Sequence, residues 1–337
     1  MYSILVVAPA WVGDSVMAEP LYQLLSKKHR DLVLDVLAPG WTLPLLQRMP
    51  QVRNAIENPF AHGQLRLQER RALGVSLRPH RYDQAIVLPN SLKSALIPWF
   101  ANIPKRTGFV GEMRYGLLND ARKLEPDALP LMVERFAFLA GDKGDVLRRP
   151  VPNPRMVVDS AQAKATLASL GLSLAKPVVA FCPGAEYGEA KRWPARHFAE
   201  LARNIGESGG QVWIFGSGKD REIGDAISLA AGADDVHQLA GKTTLDQAVD
   251  LLSFATVVVT NDSGLMHVAA ALERPFVALR GPPSSGRTGA LCQKAQLLRL
   301  VLPRSPCFKR VCPLGHLDCL NKLSPQQVYQ AVLAVLH

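Results

Sequence analysis

Residues 255–272 read ATVVVTNDSGLMHVAAAL. The β-branched apolar run closes at Thr260. Past the polar corner an apolar stretch without Pro begins, so a buried strand gives way to a helix starting near Gly264. Asp262 or Ser263 is its N-cap. A strand apolar on both faces belongs to a parallel sheet covered by helices on each side. Outward from this point the alternation recurs: PVVAFC (177–182), QVWIFG (211–216), DVHQLA (235–240) and PFVAL (275–279) are further strands. FAELARNIGES (198–208), DREIGDAISLAA (220–231) and LDQAVDLLSFA (245–255) are the helices between them.

The first half has the same plan, with strands SILVVA (3–8), LVLDVL (32–37), RNAIEN (53–58) and DQAIVLP (83–89). A proline-rich break, RRPVPNPRMVVD at 148–159, continues no helix and separates the two series. A chain of 337 residues is longer than one core usually organises. Two domains, 1–155 and 156–322, are expected, with a last helix, 323–337, packing back across the domain interface. Ser324 caps that helix and Pro325 takes its first position. The fold class is α/β, two Rossmann-like domains whose parallel sheets face a central cleft, with function on the loops at the carboxyl ends of the strands.

A hydrophobic fraction of 48% excludes a disordered chain. The opening MYSILVVAPAWVGD has no basic stretch before its apolar run and no small-residue cleavage site after it, so it reads as a strand and not a signal. No later run approaches the roughly 18 uninterrupted apolar residues of a membrane span, and a cytoplasmic protein is expected. Five cysteines, few and odd in number, point to reduced thiols. The balance of 39 Lys and Arg against 29 Asp and Glu gives +10, a field that attracts phosphate-bearing partners. The surplus is dispersed and carries no nucleic-acid motif, so nucleic acid is not an expected partner.

Three strand-to-helix loops carry the chemistry. PAWVGDSV (9–16) follows the first strand, with Gly13 permitting a tight turn and Asp14 at the N-cap, where it is either a cap or a general base. PGAEYGEAKRWP (183–194) brings Lys191 to a helix start, where it is either solvated or adds charge to a phosphate site. The 255–272 stretch offers free backbone amides at Ser263, Gly264 and Leu265, and His267 falls one turn further along the face toward the same anion.

Other patterns fail on spacing. GKTT at 241–244 has Val236 where a phosphate loop needs glycine, and GSGKDR at 216–221 lacks the third glycine of a dinucleotide fingerprint. A turn at Gly216 can still pass close to a nucleotide. Cys307, Cys312, His316 and Cys319 have an imperfect zinc-ligand spacing, and a packed, reduced loop is the favoured reading.

The VVVTNDSGLMHVAAAL stretch, taken with PAWVGDSV and EAKRWP, resembles glycosyltransferase family 9, the lipopolysaccharide heptosyltransferases of GT-B fold, nearly end to end. Within it, LPNSLKSAL (88–96) and RTGFVGEMRYGLLNDAR (106–122) look like the branch that adds the second core heptose. The resemblance implies inverting transfer of L-glycero-D-manno-heptose from ADP-heptose to the first heptose of the inner core. Asp14 is similar to the family's base, Lys191 to its phosphate contact, and Asp262, Ser263, Gly264 and His267 to its pyrophosphate and sugar site.

The catalytic set is therefore Asp14, Lys191 and His267. Lys191, Asp262, Ser263, Gly264, Leu265, His267, Gly216 and Thr243 bind the donor, and Gly13, Lys93, Arg106 and Arg114 bind the acceptor. Glu186 and Tyr187 stand where the family has a threonine pair, a departure at the nucleoside end. No D-x-D motif is present, so transfer independent of metal and of any cofactor is expected. The implied partners are ADP-heptose, Kdo-lipid A carrying the first heptose, and peripherally the anionic inner membrane. Competing readings are a relative acting at another core position or with another nucleotide sugar, a nicotinamide oxidoreductase without its fingerprint, and a non-catalytic binding module.

Overall fold

A computed structural model describes residues 1–185, 188, 191–280, 294–300, 312 and 315–336. The chain forms two compact units, Met1–Arg155 and Met156–His337.

The first unit runs β1 (Tyr2–Val7), α1 (Val12–Lys28), β2 (Leu32–Ala38), α2 (Leu43–Leu46), β3 (Asn54–Glu57), α3 (Leu67–Ser76), β4 (Gln84–Val87), α4 (Leu92–Phe100), β5 (Lys105–Phe109), β6 (Asp120–Arg122) and α5 (Met132–Phe138). Its strands form one parallel sheet in the order β3-β2-β1-β4-β5-β6. Ile4 to Val7 and Ala85 to Val87 are buried on both faces, as strands between two helical layers must be. β1 to β4 lie on the anticipated apolar runs. β5 and β6 do not announce themselves, because their sequences KRTGF and DAR carry no apolar pattern. A buried polar ladder holds them instead: Gln84 Nε2 donates to Thr107 Oγ1 and Thr107 Oγ1 to Asp120 Oδ2, both at 2.8 Å. Arg122 Nη2 then donates to Asp120 Oδ2 at 2.9 Å.

The second unit runs α6 (Ser160–Ser169), β7 (Val178–Cys182), α7 (Ala195–Glu207), β8 (Gln211–Ile214), α8 (Arg221–Ala231), β9 (Val236–Gln238), α9 (Leu245–Leu252), β10 (Val257–Asn261), α10 (Gly264–Ala271), β11 (Phe276–Leu279), β12 (Ala295–Leu298), α11 (Asp318–Asn321) and α12 (Pro325–Leu336). The order is β12-β11-β10-β7-β8-β9, again all parallel. β12, AQLL, is a half-exposed edge strand that lies outside the anticipated runs. α12 buries Val328, Ala331 and Val332 in the core of its own unit, with Leu201 and Ile205 of α7. Ser324 closes its start, accepting from Gln327 N at 3.3 Å while its own N donates to Gln327 Oε1 at 3.0 Å. No helix among the described residues is long and apolar enough to cross a membrane.

In both sheets the first strand lies inside. β1 has β2 on one side and β4 on the other, and β7 has β8 and β10. Chain direction across the sheet reverses there, so the loops after β1 and β4, and those after β7 and β10, part and leave a crevice.

Candidate active site

The first crevice is opened by α1. Its N-cap is Trp11, extended and without a side-chain cap, so Gly13 and Asp14 are the second and third helical residues. That corrects the sequence reading of both. The corner is made by Pro9 to Trp11, tied down by Trp41 Nε1 donating to Ala10 O at 2.9 Å and Ser15 Oγ to Pro9 O at 3.4 Å. Gly13 is buried in the helix and supplies no left-handed turn. Asp14 has no hydrogen-bonding or ionic partner among the described residues. Burial alone raises its pKa from 3.8 to about 6.

The expected acceptor residues do not converge. Lys93 lies in the first turn of α4, at the same end of the sheet as Asp14, and is half-buried. Arg114 also belongs to that end but is 1% exposed. Its guanidinium donates to Pro89 O at 2.6 Å, Phe109 O at 2.7 Å and Ser91 O at 3.1 Å. Burial lowers its pKa to about 10. It is a staple joining the loops after β4 and β5, with no open face for an acceptor. Arg106 is at the wrong end. Its register partner is Ala85, which is level with Leu5 in β1, and its side chain donates to Ile103 O and Leu117 O, both 2.6 Å, before β5 and β6 begin.

The second crevice is dense. Ser263 is the N-cap of α10, so Asp262 lies just outside the helix. The Gly264 and Leu265 amides head the helix with no intrahelical acceptor. Lys191 Nζ meets Asp262 Oδ2 at 2.6 Å, with side chains 15% and 9% exposed. His267 is buried one turn into α10, and burial lowers its pKa to about 4 against the opposing pull of Asp262. It is a neutral imidazole near pH 7. The structure thus brings Lys191, Asp262 and His267 together around one helix start.

Asn261 went unnoticed in the sequence. It is fully buried, its Nδ2 donates to Pro183 O at 2.6 Å, and its Oδ1 accepts from Trp193 N at 3.2 Å, so it joins both ends of the Lys191 loop to β10. The only sequence signal was an amide at the end of a strand. Trp193, also 0% exposed, donates from Nε1 to Leu323 O at 2.9 Å and anchors the same loop to the chain before α12.

Gly216 and Thr243 follow β8 and β9 on the adjoining side. Gly241 N donates to Gly216 O at 3.0 Å, which links their loops. A Cβ at Gly216 would stand 2.7 Å from Asp220 Cβ, and one at Gly184 2.6 Å from Asp220 Oδ1, so these loops close over Asp220 only with glycine. Glu186, Tyr187 and Cys307 lie outside the described residues. Among those described, no three His, Cys, Asp or Glu side chains are grouped to hold a metal.

The pattern that defines glycosyltransferase family 9 (heptosyltransferase) matches residues 70–318. The chain is 49% identical to lipopolysaccharide heptosyltransferase 2 of Salmonella typhimurium, over 99% of this chain and 98% of the relative. It is 48% identical to lipooligosaccharide heptosyltransferase 2 of Haemophilus influenzae over 89% of each. Among solved structures it resembles E. coli ADP-heptose heptosyltransferase II, with a TM-score of 0.90 and 46% identity over 100% of this chain and 98% of that one. The two doubly wound units are those of the GT-B fold, and the chain belongs to glycosyltransferase family 9, the heptosyltransferases.

Proposed function

We propose that this enzyme transfers L-glycero-D-manno-heptose, with inversion, from ADP-heptose to the first heptose of the lipopolysaccharide inner core. The full-length likeness to heptosyltransferase 2 proteins supports the substrate pair. Asp14 carries the mechanism: a carboxylate at a crevice, with no partner among the described residues and a pKa near 6, is ionised at neutral pH yet basic enough to take the acceptor hydroxyl proton. Oxygen attacks the anomeric carbon as the bond to the diphosphate breaks, and the proton passes to Asp14.

The transition state is oxocarbenium-like, so negative charge grows on the departing ADP. The Gly264 and Leu265 amides, the dipole of α10 and Lys191 receive it. An arriving diphosphate competes with Asp262 for Lys191, so the ion pair holds the ammonium in readiness. His267, being neutral, offers one N–H and no charge. Gly216 and Thr243 border the nucleoside side. Transfer is independent of metal. The glycolipid acceptor meets Lys93 on the first unit, and Arg114 positions the loop beside it. The basic chain rests peripherally on the anionic inner membrane.

Mass spectrometry of a truncated core acceptor incubated with ADP-heptose tests the reaction, and a gain of one heptose is expected. No gain, or a gain only with another nucleotide sugar, overturns it. Asp14→Asn tests the base: acceptor and donor still bind while turnover collapses. Retained activity after chelator treatment checks metal independence.

A further inference from the structure

We propose that the first unit carries a second anion site, for a phosphate ester, at the amino ends of its strands and so at the opposite end of the sheet from Asp14. This goes beyond the transfer reaction. A cavity of about 500 Å³ opens there, lined by Arg71, Arg78, Trp99, Phe100, Asn102 and Arg106. Arg71 comes from α3, Arg78 from the 3₁₀ turn behind it, Trp99 and Phe100 from the last turn of α4, and Arg106 from the start of β5.

Three guanidiniums line this cavity and no carboxylate does. Like charges gathered in one hollow repel, and an anion between them removes the repulsion. Two of the three are held in place by main-chain carbonyls. Arg78 Nε donates to Phe100 O at 3.0 Å, and Arg106 Nε and Nη1 are committed to Leu117 O and Ile103 O. Those bonds leave Arg106 Nη2 and both Arg78 Nη groups without an acceptor among the described residues, and Arg71 has none either. Burial already pulls the Arg106 pKa below its ordinary value, the electrostatic sign of a cation short of compensation. Fixed guanidinium forks with open N–H groups match the oxygens of a phosphate, and the fixing removes part of the ordering cost of binding.

The volume is in the range of small-ligand pockets, about 300–1,000 Å³. Beside the cations, Trp99 is 43% exposed and packs edge-on against Phe100 with ring centroids 4.9 Å apart. That gives the organic part of an ester an apolar wall. The ester is either the headgroup of an anionic lipid or a soluble metabolite.

Calorimetric titration of inorganic phosphate into the full-length protein saturated with ADP, which occupies the donor site, tests the inference. Saturable binding is expected, weakened at least about tenfold in Arg71→Ala/Arg78→Ala and in the single charge reversal Arg71→Glu. Heptose transfer by both variants is unchanged, because these exposed side chains stand apart from Asp14. Cosedimentation with phosphatidylglycerol vesicles, but not phosphatidylcholine, that the double variant loses assigns the site to lipid. Phosphate binding without vesicle binding assigns it to a soluble ester. Equal phosphate affinity in wild type and both variants, or no saturable binding at all, overturns the proposal.

Discussion

The two crevices share a topology and treat charge in opposite ways. Beside β1, Asp14 is half-buried with no described partner, and nothing offsets its desolvation. Beside β7 and β10, Asp262 is paired with Lys191 at 2.6 Å and Asn261 is bonded to Pro183 and Trp193. An uncompensated carboxylate gains basicity at the expense of stability. A cross-bonded helix start fixes donors where charge will develop. Under the proposed function, the contrast separates proton chemistry from leaving-group chemistry.

The sharpest way to break it is Asp14→Asn. Losing a general base lowers kcat about a hundredfold to ten-thousandfold. The same change should raise stability at pH 7. The folded pKa of about 6 lies above the ordinary 3.8, so the folded state holds the extra proton between those values and the ionised carboxylate costs stability above them. A shift of that size corresponds to at most about 3 kcal/mol. Thermal unfolding should show the variant melting higher at neutral pH, with the gap closing toward pH 4. A variant that is slow and less stable would mean that Asp14 supports the fold.

Next in size is Lys191→Met, which leaves the Asp262 carboxylate without its ammonium. Donor KM should rise at least tenfold and stability fall by about 1–3 kcal/mol. Adding Asp262→Asn should return the stability and not the KM, a split that a purely structural ion pair would not give. Asn261→Ala should cost about 2 kcal/mol, since Pro183 O and Trp193 N both lose a partner, and should raise donor KM while acceptor KM stays fixed.

The smallest effect is in the pH profile. With Asp14 near 6, kcat/KM should rise with pH through about 6 as the base ionises. His267, lowered to about 4, should add no inflection near 6.5, and His267→Gln should keep the single limb. A limb that moves in that variant assigns the titration to the histidine.

The apolar core of the fold was plain in the sequence. Nine of the strands coincide with apolar runs that stand out between amphipathic stretches. β5 and β6 were hidden because they are stabilised by side chains that look like surface, Thr107, Asp120 and Arg122, whereas β12 is a short strand lying half-exposed at an edge. The same disguise misled the site reading. Basic residues near the first crevice look alike in a sequence, yet Arg114 is an internal staple and Arg106 is the second residue of β5, three positions before the strand ends. Asn261 was missed because its work is with residues 78 and 68 positions away.

Local order therefore placed Asp14, Lys191, Asp262 and His267 on strand-to-helix loops, since apolar periodicity and corner residues act within a few positions along the chain. Tertiary packing alone decided that Asp14 has no described partner while Asp262 is paired, that His267 is neutral, that Arg114 is an internal staple and that Arg106 stands at the opposite end of the sheet from Asp14. Burial and partners depend on which distant segments close around a side chain, and no stretch of sequence contains that information.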